Sequence, residues 1–149
     1  MDDYSLAVAK ELFAAFPQWQ ALARAEPADD GGSFLALEVA PPKQANVEYP
    51  PLMIQTEDRQ ITVGFDYFHA HFAQWAGDGA HAGIQAALHF VRKMVEERIA
   101  VVSWWLDEQC CGGAFLEAGA APEAPSWSTR YNQIRVRSWR GTFNADINA

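Results

Sequence analysis

A chain of 149 residues suits one domain, and half of those residues are hydrophobic, six of them Trp, which excludes intrinsic disorder and calls for an aromatic core or an adhesive surface. The net charge of −8 is uneven: residues 1–89 hold 12 of the 19 acidic and 4 of the 11 basic side chains, so the whole excess lies there. Such a field repels nucleic acid, so no nucleic-acid partner is expected; it attracts a basic partner, although it serves solubility equally well.

The opening "MDDYSLAVAKELF" has two acids where a secretory signal needs positive charge, and no apolar run nears the roughly 20 residues of a membrane span. A cytoplasmic protein without membrane contact is the expectation. Asp2 or Asp3 is placed to cap a helix whose Leu6, Ala9, Leu12 or Phe13, and Phe16 recur at helical spacing until Pro17 ends or kinks it. A short second helix, "QWQALARA", follows, and "EPADDGGS" reads as a turn.

"SFLALEVA" is a predicted strand that stops at Pro41–Pro42, where two amide donors are missing. "LMIQT" and "QITVGF" flank "EDR" as a hairpin with Ile61, Val63 and Phe65 on one face, after a stiff loop "PPKQANVEYPP". The next stretch, "FDYFHAHFAQW", has two readings. Helical spacing gathers Phe65, Phe68, Phe72 and Trp75 into one stripe and favours a helical or irregular turn begun near Asp66, in which His69 and His71 diverge by about 160°. If the preceding strand continues instead, the two histidines point to one face and are able to share a metal.

"GDGAHAGIQAALHFVRKMVEER" is the clearest helix: Ile84, Ala87, Leu88, Val91 and Val95 form its apolar stripe, Gln85, His89, Arg92, Lys93 and Glu96 its polar side, and Asp78 is placed to cap it. "IAVVSWWL", "DEQ" and "CCGGAFLEA" make a second predicted hairpin, with the Gly pair at a bulge or bend. "NQIRVRSW" is the last strand, after the loop "AGAAPEAPSWSTR", whose Trp127 either tucks over the sheet edge or anchors a partner. The order predicts a single α+β domain over residues 1–149, with a mainly antiparallel sheet of about six strands and helices packed on one face.

Candidate sites are sparse. Asp66, His69 and His71 would form a small-ligand or metal-dependent catalytic site, but zinc wants three or four ligands and an isolated H-x-H supplies two, so neither metal nor other cofactor is expected. Cys110 and Cys111 are adjacent, about 3.8 Å apart at Cα and closer than the usual disulfide range, and read as reduced thiols with no base placed beside them. In the last strand Arg135, Arg137 and Trp139 share a face; of Trp104 and Trp105, one indole is expected in the core and the other over an arginine guanidinium.

The segments "ITVGFDYFHAHFAQW", the Ala-rich helix, "VVSWW" and "IRVRSWRGTFN", spread over roughly residues 52–143, resemble small bacterial immunity proteins of contact-dependent-inhibition and other polymorphic-toxin systems. The resemblance implies a non-enzymatic protein, monomeric or weakly dimeric, that binds and neutralises a cognate toxin domain in the cytosol of the producing cell. Many such toxins are basic nucleases, to which an acidic partner is suited. The expected partner surface comprises Glu57 and Asp58 at the first hairpin tip, Asp107 and Glu108 at the second, and Trp105, Arg137 and Trp139 on the sheet.

Overall fold

The computed structural model describes residues 1–43, 50–73, 79–123 and 130–148. The predicted Asp78 cap, Trp75 and Trp127 lie outside the described residues. Among the described residues two helices and nine strands follow one another: α1 (Asp3–Ala15), a 3-10 turn (Pro17–Leu22), β1 (Arg24–Pro27), β2 (Ser33–Val39), β3 (Leu52–Gln55), β4 (Gln60–Phe65), β5 (Phe68–Ala73), α2 (Gly79–Val95), β6 (Ile99–Leu106), β7 (Gln109–Glu117), β8 (Gln133–Arg137) and β9 (Ala145–Asn148). The protein is α+β, and the strands form two sheets, one of order β1-β2-β3-β4-β5 and one of order β7-β6-β8-β9. All six expected strands are present, joined by β1, β5 and β9; the single sheet is corrected to two, because β2, β3 and β4 pair with one another while β6 pairs with β7 and β8. No helix among the described residues is long and apolar enough to cross a membrane.

The chain forms two compact units, the first from Met1–Ala40, Pro51–Gly64 and His69–Val91. Here α1 begins at Asp2, whose carboxylate accepts the Ser5 amide at 2.7 Å. Its buried side chains are Tyr4, Ser5, Val8, Ala9 and Leu12; Ala9, Leu12 and Phe16 of the expected stripe are buried, while Leu6 is half exposed. Polar Ser5 joins the buried face because it has a partner: its hydroxyl lies 2.6 Å from that of Thr56, which also accepts the Leu35 amide at 2.9 Å. The Ile84–Val91 stripe of α2 and the Val8–Leu12 stripe of α1 meet Ile61 and Val63 around a residual void of about 10 Å³, too small for any ligand. Fully burying a side chain such as Leu12 or Val63 contributes about 1.5–3 kcal/mol.

"QWQALARA" is not a second helix throughout: Pro17 starts a 3-10 turn that stacks Trp19 on Phe16 at 4.2 Å, and the chain then extends into β1. β1 pairs with β2 through Arg24↔Ala36 and Glu26↔Phe34. β3 and β4 form the expected hairpin, with Ile54↔Val63 in register.

The second unit comprises Pro41–Pro50, Phe65–Phe68 and Arg92–Ala149. One side of its sheet carries Ala100, Val102, Trp104, Ile134 and Val136 as a buried cluster. On the other side the 65–68 turn lies across β7, close enough that a Cβ at Gly113 would sit 3.2 Å from the carbonyl oxygens of Tyr67 and Val102. The Gly pair does mark a bulge: Trp104 pairs Gly112 and Trp105 pairs Cys110, leaving Cys111 without an opposite residue.

α2 ends with Glu97 in a left-handed conformation (φ +56°), where glycine is commonest. The Glu97 amide donates to Met94 and that of Arg98 to Lys93, which closes the helix end. The side chain explains the residue. Its carboxylate accepts hydrogen bonds from the Ser138 hydroxyl (2.6 Å), the Arg140 amide (2.7 Å), the Thr142 amide (3.2 Å) and the Thr142 hydroxyl. Burial alone would raise this carboxyl, but the hydrogen bonds outweigh it and hold it below the usual range.

Candidate functional site

In the first unit the Glu57–Arg59 tip of the β3–β4 hairpin turns back through two non-glycine residues at positive φ, Asp58 (+54°) and Arg59 (+56°). This brings Glu57 and Asp58 beside Asp2 and Asp3 at the start of α1 and Asp29 and Asp30 of the β1–β2 loop. The six carboxylates and Arg59 line a cleft of about 670 Å³, with Phe34 in its wall. Asp2 is held below the ordinary carboxylate range chiefly by the Ser5 amide, with Arg59 adding to the effect. The positive end of the α1 dipole favours both helix-start acids. Of the charged residues, ten acidic and three basic fall in this unit, a net −7, against −1 for the second.

Sequence reasoning reached Glu57 and Asp58 but not the other four acids. Their signal lies in "MDDYS" and "PADDGG", whose carboxylates suit a helix cap and a turn equally well.

In the second unit Arg135 lies with its guanidinium carbon 3.8 Å from the centre of the Trp105 ring, so the expected arginine–indole stack is present. Tyr67 meets the same indole edge-on at 4.5 Å, and the Trp105 Nε1–H donates to Ser103 Oγ at 2.8 Å. These contacts bury Trp105. Trp139 is equally buried, 5.7 Å from Phe65 between ring centres. Arg137 donates to the Val136 and Ala145 carbonyls and to Asp146 at 2.6 Å, fastening β8 to β9. The expectation that Trp105, Arg137 and Trp139 face a partner is therefore corrected: all three are engaged inside their unit, while Tyr67 is exposed, 53% accessible.

At the β6–β7 tip Asp107 (φ +55°) and Asn132 exchange hydrogen bonds, amide to side chain at 2.9 Å and side chain to side chain at 2.8 Å. Asp107 is thus a turn residue with an internal partner, while Glu108 beside it is exposed.

The Asp66, His69 and His71 group does not assemble as one site in either unit. Asp66 belongs to the second unit and is a turn residue at φ +52°, the position that Asp107 holds in the other hairpin. Its Oδ2 is buried with no hydrogen-bond partner among the described residues, and burial raises its carboxyl, opposed by the Tyr67 amide and by Arg137 and Arg135. The helical reading of the following residues is overturned. β5 is a strand because a two-residue turn at Asp66–Tyr67 returns the chain antiparallel to β4, and His69 and His71 fall on one face with ring centres 4.8 Å apart. No three His, Cys, Asp or Glu side chains gather as a metal cluster among the described residues.

No family model matches the chain, and comparison with curated proteins and with solved structures likewise gives no match.

Proposed function

We propose that this is a binding protein of immunity type, whose acidic cleft receives a basic surface of a cognate toxin domain in the cytosol and so neutralises it. The observation that carries the reading is the cleft: three separate segments converge six carboxylates on a concave surface large enough for several side chains. Such a field speeds encounter with a basic partner and competes with nucleic acid for a nuclease's basic groove. Exposed Tyr67, braced by the Trp105–Arg135 stack, offers a rigid aromatic of the kind that anchors interfaces and slows dissociation.

Coexpression with the C-terminal domain encoded by the reading frame directly upstream tests the proposal. Restored growth and a stoichiometric complex are expected, with association slowed at low salt when Glu57 and Asp58 are replaced by Lys. Absence of a complex, or an association rate indifferent to both charge reversal and salt, would refute the cleft as the docking site.

A further inference from the structure

We propose that His69 and His71 form a two-imidazole chelate for a divalent transition metal on the outer face of β5. This goes beyond the toxin-binding reading and does not depend on it. The strand conformation puts both side chains on one face, and both histidines are exposed, so a metal ion has access to the rings. Their centres are 4.8 Å apart with planes at 80°. A metal about 2.0–2.1 Å from a ring nitrogen lies roughly 3 Å from the ring centre, so two imidazoles sharing one ion near tetrahedral angles have centres roughly 5 Å apart. The observed spacing is close to that separation, and rotation about the side-chain torsions turns the ring nitrogens toward a shared ion.

The neighbouring strand prepares the site. Thr62 Oγ1 lies 3.0 Å from His71 Nδ1; when Nδ1–H donates to that hydroxyl, Nε2 carries the lone pair for the ion and the ring orientation is fixed. Next to His69 the strand has Gly64, and a Cβ there would approach Met53 Cε at 3.2 Å and His69 Cβ at 3.6 Å. The glycine leaves the space in which these side chains lie. Imidazole ligands suit Cu(II), Ni(II) and Zn(II), with Cu(II) bound most tightly; two protein ligands leave the remaining positions to water.

The experiment is calorimetric titration of the untagged, chelator-treated full chain with Cu(II), Ni(II) and Zn(II), with the electron-spin spectrum of the Cu(II) form read for nitrogen ligands. One equivalent, two-nitrogen coordination and order Cu(II) above Ni(II) and Zn(II) are expected. His69→Gln or His71→Gln should each weaken binding at least tenfold, and Thr62→Val by about tenfold, the usual effect of removing a group that orients a metal-bound histidine. His81→Gln, His89→Gln and the paired change Cys110→Ser, Cys111→Ser should leave it unchanged. No binding, or binding that survives His69→Gln or disappears with the cysteines, overturns the proposal.

Discussion

Glu97 and Ser138, 41 positions apart, meet through a 2.6 Å hydrogen bond in which the serine hydroxyl donates to the carboxylate. The bond ties the end of α2 to the loop after β8, and its strength depends on charge. Because Glu97 in the folded protein stays ionised below the usual carboxylate range, its contribution is fully present above the ordinary glutamate pKa and is lost as pH falls through the lowered one. Glu97→Gln should cost about 1–2 kcal/mol at pH 7, the scale of hydrogen bonds to a charged but partly exposed group. Urea unfolding at pH 7 and pH 3 checks this: the gap between wild type and variant should narrow at the lower pH, and an equal gap at both would count against it.

Asp66 has the opposite sign. Its carboxyl is raised by burial, so ionised Asp66 opposes folding, and the proton it retains in the folded state favours folding only until pH rises through the raised pKa. Asn accepts the same left-handed turn without the charge. Asp66→Asn should therefore match or exceed wild type at pH 7, by under about 1 kcal/mol, with the advantage gone in acid where both states are protonated. A variant clearly less stable at pH 7 than wild type would show that the charge is favourable.

At Gly113 the obstacle is backbone. A side chain there meets two carbonyl oxygens at 3.2 Å and Phe68 Cβ at 3.3 Å, and neither carbonyl is free to swing aside. Gly113→Val should cost about 1–3 kcal/mol as overpacking does, lowering the thermal midpoint by several degrees. Thermal denaturation followed by circular dichroism measures it.

Thr56 serves Ser5 and Leu35 at once in a place without solvent. Thr56→Val leaves a buried hydroxyl and a buried amide without their partner and should cost about 2–4 kcal/mol. Adding Ser5→Ala to Thr56→Val should cost less than the two single losses together, since the second change removes an already orphaned group. Strict additivity in a chemical-unfolding cycle would mean the two hydroxyls do not act as a pair.

The elements with a clean period were legible in the sequence. The β3–β4 and β6–β7 hairpins stand where alternation and short polar turns put them, and the Asp2 cap and the α2 stripe needed only local chemistry. β5 misled because its aromatics recur at helical spacing; the contrary signal was Asp66, an aspartate at a two-residue turn, as at Asp107. β1 and β9 have no alternation of their own and exist through pairing with β2 and β8. The burial of Trp105 and Trp139 was hidden for a related reason: residues of the 65–68 turn pack on both, and no local pattern announces a contact so distant in the chain.

β7 is an edge strand nine residues long, and on its own it would be a template for another molecule's strand. The unpaired Cys111 breaks its ladder into two short runs that a straight incoming strand cannot follow continuously. A bulge in this place is thus a brake on edge-to-edge aggregation.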